Sequence, residues 1–175
     1  MKTNDEDIIT AMREDAEKGF RLLMTRYKEP LYWHIRRLVV SHDDAQDAAQ
    51  ETFIRIFRSF SKYSGDRSFT AWLYRIATNE ALRLLERRPA VSSLLEQASH
   101  AEAESYIDYN DLEAVRLQKA ILSLPPKQQL AFNLRYYDEM DYDEIAAVAD
   151  TTPTSVKASY HLAKERIIKY MQSND

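Results

Sequence analysis

No cysteine occurs in the 175 residues, so the chain has neither a disulfide framework nor thiolate metal ligands, and it suits a reducing compartment. Glycine is almost as scarce: Gly19 and Gly65 are the only two, beside five prolines. A sheet protein needs turn residues every ~10 positions, so the expected fold class is all-α. No apolar run approaches the ~20 residues that cross a bilayer, and the start MKTNDEDIIT is too acidic and polar for a signal peptide. The expectation is a cytoplasmic chain without membrane insertion. The histidines, His34, His42, His100 and His161, have no metal-ligand spacing, and Asp43, Asp44 and Asp47 stand beside no partner motif such as H-E-x-x-H. With no phosphate-cradling glycine loop either, the sequence offers no seat for catalysis and calls for no cofactor.

What is present is charge, unevenly spread. The formal net charge is −4, on the wrong side for a protein that grips DNA alone, because a basic excess drives counterion release. Residues 31–90 carry ten Lys and Arg against seven Asp and Glu, residues 91–118 one against six, and residues 153–172 four against one. Two weakly basic ends flank an acidic middle.

Apolar spacing then divides the chain. Ile8, Met12, Phe20, Leu23 and Tyr27 recur at helical intervals, and Pro30 suits the first turn of a second helix carrying Leu31, Ile35 and Leu38. A third helix follows Ser41 with Ala45, Ala48, Ala49, Phe53, Ile56, Phe57 and Phe60. The break KYSGDRS precedes Ser68, an N-cap for a fourth helix bearing Phe69, Trp72, Leu73 and Ile76. Trp72 is expected in the core. These four helices make a first domain over 1–89. Residues 90–110, rich in Ser, Ala and Glu, read as an acidic linker, with a short helix around Leu94; fully extended at ~3.3 Å per residue it reaches roughly 70 Å.

A second domain, 111–175, opens with a helix from Asp111 to Leu122, stops at LPP, and resumes from Lys127 to Tyr137. Asp141 and Glu144 form a capping-box-like pair before DYDEIAAVA. A tight turn at Asp150 and Thr151 leads to Thr152 as N-cap and Pro153 at the first position of the last helix, which runs to about Met171. Helix, short turn, helix is the outline of a helix-turn-helix DNA reader.

Two pairs of strings carry a family resemblance. DAAQETFIRIF with FTAWLYRIATN resembles region 2, and LPPKQQLAFNLRYYDEMDYDEIA with TSVKASYHLAK resembles region 4, of the extracytoplasmic-function (ECF) sigma factors within the sigma-70 family. The resemblance covers most of the chain and implies two small helical domains, sigma region 2 and sigma region 4 with its helix-turn-helix. It implies a factor that binds core RNA polymerase, recognises the minus-35 and minus-10 elements of promoter DNA, melts the promoter, and for many members is held by an anti-sigma factor.

The resemblance also implies residue roles. The helix over 43–60 matches the one that docks on the clamp coiled coil of the polymerase's largest subunit, with Asp47, Gln50, Glu51 and Phe53 on the matching positions. Asp47, Gln50 and Glu51 fall at i, i+3 and i+4, hence on one helical face. For the minus-10 strand the matching positions are Arg55, Ser59, Tyr63, Ile76 and Asn79, where an aromatic offers a stacking surface and an amide reads a base edge. One extruded base is expected to meet both Tyr63 and Asn79. The last helix presents Ser155, Lys157, Ala158 and His161 to the minus-35 major groove, with Lys164 and Arg166 nearer phosphates, and packs through Val156, Tyr160, Ala163 and Ile167. Ser159 and Leu162 replace common family arginines, so the minus-35 base preference does not carry over. Asp150 replaces the turn glycine and tolerates the left-handed conformation.

The competing reading is an autonomous helix-turn-helix regulator whose first domain dimerises or binds a ligand. Its weak point is charge, since a net-negative chain with a mildly basic recognition segment grips DNA poorly alone. A helical-bundle enzyme is more distant, for want of ligand clusters.

Overall fold

A computed structural model of the chain describes residues 3–87 and 110–173, and among these it contains eight α-helices and no strand. The expected linker, its last residue apart, and the helix around Leu94 lie outside the described residues. The first unit comprises α1 (Asp5–Glu14), α2 (Ala16–Val39), α3 (His42–Ser59) and α4 (Phe69–Glu86), with one 3₁₀ turn at Phe60–Lys62. The second comprises α5 (Leu112–Leu122), α6 (Pro126–Tyr136), α7 (Tyr142–Ala149) and α8 (Pro153–Ser173).

Pro30 does not open a helix. It lies exposed inside α2, because the buried stripe Gly19, Leu23, Tyr27, Leu31, His34, Ile35 and Leu38 runs through it without a break. Burial of that stripe outweighs the ~3 kcal/mol penalty of an interior proline. The real break is Asp15, extended at φ −147°, whose carboxylate caps α2 by accepting from the Lys18 N–H. There α1 folds back so closely that a Cβ on Gly19 would stand 2.3 Å from the Met12 backbone nitrogen. Gly19→Ala should therefore force the corner apart and cost about 1–3 kcal/mol, measured as a lower midpoint in urea unfolding at unchanged slope. The carboxylate of Asp5 closes the same corner from above, accepting from the hydroxyls of Tyr27 (2.6 Å) and Thr70 (3.1 Å) and so joining α1, α2 and α4.

The turn from α2 to α3 is strained. Val40 has φ 70° and ψ −49°, with the Ser41 N–H donating to the Val39 carbonyl at 2.9 Å, a tight γ-turn that a β-branched residue adopts only under constraint. The constraint is Arg36. Fully buried, it donates from Nε to the Val40 carbonyl (2.7 Å) and from its guanidinium to the Tyr32 hydroxyl (2.9 Å). This corner sets the angle between α2 and α3, on which the groove described below depends.

In the second unit, α5, α6 and α8 enclose Ala120, Ile121, Leu124, Phe132, Ala163 and Ile167. The remaining apolar residues of this unit, Ala131, Leu134, Met140, Ile145, Ala146, Val148 and Val156, join the buried cluster of α1–α4. One buried cluster thus lies within α5, α6 and α8, and another runs across both units. Short α7 is the reason: it is apolar on more than one side, with Ile145, Ala146 and Val148 buried, and it packs on both α4 and α8.

Candidate functional site

Between α2 and α3 lies an open groove of about 1270 Å³. Its apolar walls are Phe20, Met24, Tyr32 and Trp33 from α2 and Ala49, Phe53, Ile54 and Phe57 from α3. Phe53 is buried at its base, whereas Ile54 and Phe57 remain 38% and 48% exposed. Phe20 anchors the cluster edge-on to Phe57 (5.3 Å) and to Phe53 (6.4 Å). Among the four positions expected on this surface, Gln50 and Phe53 line the groove, while Asp47 and Glu51 are exposed on the same helix without lining it. The α2 wall was missed from sequence. Its signal was a second stripe, Phe20, Met24, Lys28 and Tyr32 at intervals of four, beside the core stripe of the same helix.

The positions expected at the minus-10 strand fall into two groups. Tyr63 is half-buried, with its ring against Phe69 (5.3 Å) and Trp72 (5.2 Å) and its hydroxyl donating to the Arg67 carbonyl at 2.7 Å. Burial raises the pKa of that hydroxyl, so it remains a neutral donor. Trp72, expected in the core, is only half-buried, because it caps this aromatic cluster at the surface. Trp72, Ile76 and Asn79 follow at i, i+4 and i+7 on one face of α4, and Asn79 is exposed. Seven residues of helix separate Trp72 from Asn79 by ~10 Å.

Arg55 is engaged rather than free. Its guanidinium pairs with Glu80 at 2.5 Å and with Glu51 at 3.6 Å, and Glu80, largely buried, also holds Arg83 at 2.8 Å. This network ties α3 to α4 beside Asn79. Ser59 is half-buried at the end of α3.

On α8 the stripe Val156, Ala163 and Ile167 is buried and Tyr160 half-buried, while Ser155, Lys157, Ala158, His161, Lys164 and Arg166 are all exposed. Helical periodicity places Ala158 and His161 opposite the packing stripe, with Lys157 and Lys164 on one flank and Ser155 and Arg166 on the other. The same outer face carries Leu162, 49% exposed, and Glu165, neither of which was among the expected readers. The helix begins as anticipated: Asp150 is left-handed at φ 55°, and the Thr152 hydroxyl accepts from the Ser155 N–H at 3.2 Å.

Comparison with known proteins places this geometry. Residues 23–90 match the sigma-70 region 2 family and residues 114–167 the sigma-70 region 4 family. The ECF RNA polymerase sigma-E factor of Escherichia coli K12 is 30% identical over 181 aligned positions, covering 96% of this chain and 94% of its own. The chain belongs to the ECF sigma factors. The RNA polymerase sigma-H factor of Pseudomonas aeruginosa is similar to the same degree, at 30% identity over 96% of the chain. Two solved structures share the fold: CnrH, in complex with the cytosolic domain of CnrY (TM-score 0.76, 20% identity, 98% of this chain and 99% of that one), and the sigma factor RpoE from Bartonella quintana, in complex with the anti-sigma factor NepR (TM-score 0.69, 19% identity, 90% and 99%).

As an ECF sigma factor the chain binds core RNA polymerase and directs promoter recognition and melting for transcription initiation. The region 2 match over the first unit displaces the reading in which that unit serves an autonomous regulator. The family is a non-enzymatic regulator, and no helix among the described residues is long and apolar enough to cross a membrane.

Proposed function

We propose that the α2–α3 groove is the seat for the polymerase clamp coiled coil. The observation that carries this is an apolar trough left open between α2 and α3, with Ile54 and Phe57 presented to solvent. Phe53 shapes the floor, Gln50 lines the trough, and Asp47 and Glu51 face basic groups of the partner. An anti-sigma factor, such as the NepR bound to RpoE in one structural neighbour, acts on this chain by competing for the same sigma surfaces.

Tyr63, with Trp72, stacks an unpaired base of the minus-10 strand, while Ile76 and Asn79 contact a different nucleotide further along. Arg55 positions α4 through Glu80 more than it touches DNA, and Ser59 supports the loop. At the minus-35 element Ala158 and His161 are central readers, joined by Leu162, which suits a thymine methyl, and Glu165, which accepts from cytosine. Ser155, Lys157, Lys164 and Arg166 hold the flanking backbone, with Lys157 close enough to the groove to reach a base. In this reading the first domain spans 1–89, the linker 90–110 and the second domain 111–175. The chain works in the cytoplasm and supplies no catalytic step of its own.

Run-off transcription with core polymerase on a random promoter library tests the assignment. Transcripts should start downstream of one pair of spaced elements, and none should appear without the chain. Asp47→Lys combined with Glu51→Lys should weaken capture of core polymerase without loss of helicity.

A further inference from the structure

On α4 the residues Trp72, Ile76, Asn79 and Arg83 follow at i, i+4, i+7 and i+11, so Arg83 continues the face assigned above to the minus-10 strand. It stands one turn past Asn79, ~6 Å along the axis. It is also the last cation of that face within α4, because Glu86 comes next. The Arg83 guanidinium is held. Its Nη1 donates to Glu80 Oε1 at 2.8 Å, and the same oxygen takes the Arg55 Nε from α3 at 2.5 Å. An ordinary i,i+3 pair on a helix surface contributes little, but two features separate this one from that case. The Glu80 side chain is only 8% exposed, whereas those of Arg55 and Arg83 are 45% and 47% exposed; the carboxylate sits inside while both cations reach solvent. One carboxylate also serves two guanidiniums, which leaves a positive charge over. Glu51, itself exposed and 3.6 Å from Arg55, offsets that charge only weakly through solvent.

We propose that Arg83 holds a backbone phosphate of the melted minus-10 strand next to the base met by Asn79, and that Glu80 is the positioning residue that aims it. The proposal rests on the assignment of α4 to that strand. A guanidinium carries five N–H donors in a planar fork. With Nη1 engaged by Glu80, Arg83 keeps donors for the two-point grip that a phosphate accepts. Holding the guanidinium before DNA arrives also spares the entropy of ordering a long side chain during binding. Arg55 supports the arrangement from behind. Bonded to the same Oε1, it anchors the carboxylate to α3, so that α3, α4 and the phosphate grip keep one geometry. A phosphate contact carries no sequence information, so Arg83 adds hold on the open strand while Asn79 supplies the preference.

The test uses holoenzyme, formed with excess core polymerase, and a fluorescein-labelled promoter from the run-off selection that is unpaired across its minus-10 element. Arg83→Gln should weaken binding about tenfold, and by the same factor on every minus-10 sequence. It should also reduce the slope of log affinity against log salt by ~0.7, the share of one single-strand phosphate. Arg83→Lys, which keeps the charge and loses the fork, should recover the slope and only part of the affinity. Glu80→Gln is decided by sign. Removing a negative charge from a DNA-binding face raises affinity when that charge merely repels phosphates, whereas a positioning carboxylate requires a fall. In an Arg83→Gln background that fall should vanish, because Glu80 acts through Arg83. Wild-type affinity and slope in Arg83→Gln overturn the phosphate grip. No fall in Glu80→Gln, or a fall that persists without Arg83, overturns the positioning role. If Glu80→Gln loses helicity, the lysine variant at exposed Arg83 decides: a recovered slope with partial affinity supports a held fork, and full affinity overturns it. Asn79→Ala with unchanged preference at every minus-10 position overturns the assignment of α4 instead, so the two failures are distinguishable.

Discussion

Phe57→Asp is expected to lower affinity for core polymerase by roughly 30-fold to 1000-fold, the 2–4 kcal/mol typical of an aromatic anchor at the centre of an interface. The ring forms part of the apolar wall and is 48% exposed, so its loss removes contact area from the seat and little from the domain. Aspartate adds a carboxylate that docking would strip of water on an apolar wall, at a desolvation cost. The fold should survive, because Phe57 lies outside the buried cluster and its edge-on contact with Phe20 is at the surface. Asp47→Lys and Glu51→Lys provide the contrast. Both acids are exposed beside the groove, and rim charges act mainly on association rate and salt dependence, so these variants should cost less than Phe57→Asp and cost least in high salt. Titration of labelled chain with core polymerase at two salt concentrations separates the effects. If Phe57→Asp binds like wild type while the lysine variants fail, docking is electrostatic and the trough is not its seat.

The sequence was most legible where local chemistry decides the outcome. Ser41, Ser68, Asp111, Asp141 and Thr152 each cap the helix that follows, because a short polar side chain before an apolar repeat has one good use for its oxygen. It misled where tertiary packing overrules a local preference. Pro30 is a strong breaker in isolation, yet the stripe from Gly19 to Leu38 buries too much to stop for it. The α2–α3 groove could be anticipated from its α3 side, where Gln50 and Phe53 follow the family pattern, but its α2 wall depends on the Arg36-held turn at Val40, which spacing does not reveal. The seam between the units was hidden for a similar reason. Asp138, Glu144 and Asp150 look like solvated acids until α7 is placed against α4. Glu80 looked equally unremarkable, although its pairing removes Arg55 from the simple role of a free cation.

Promoter opening should separate Tyr63 from Asn79. A base captured on an aromatic face gains ~1–3 kcal/mol, comparable with the few kcal/mol needed to unstack it, so Tyr63→Ala should reduce open complex on duplex promoters by roughly tenfold or more. A promoter already unpaired across the minus-10 element should recover part of that loss, since the unstacking cost is then removed. The variant also deprives Phe69 and Trp72 of a ring neighbour and the Arg67 carbonyl of its donor, so some instability of the loop is expected. Tyr63→Phe controls for this by keeping the ring and deleting the hydroxyl: it should open promoters nearly as well as wild type while losing the loop hydrogen bond. Asn79→Ala, at an exposed site two helical turns from Trp72, should leave the extent of melting largely intact and relax base preference at one position. Because Asn79 stands ~10 Å along α4 from Trp72, against which Tyr63 packs, the position relaxed by Asn79→Ala should differ from the base whose permanganate reactivity reports loss of Tyr63. Permanganate footprinting on duplex and pre-melted templates, with a library substituted across the minus-10 element, resolves both. Coincidence of the two effects at a single base would contradict the separation that α4 imposes, and full melting by Tyr63→Ala on duplex DNA would move the stacking surface to Trp72 alone.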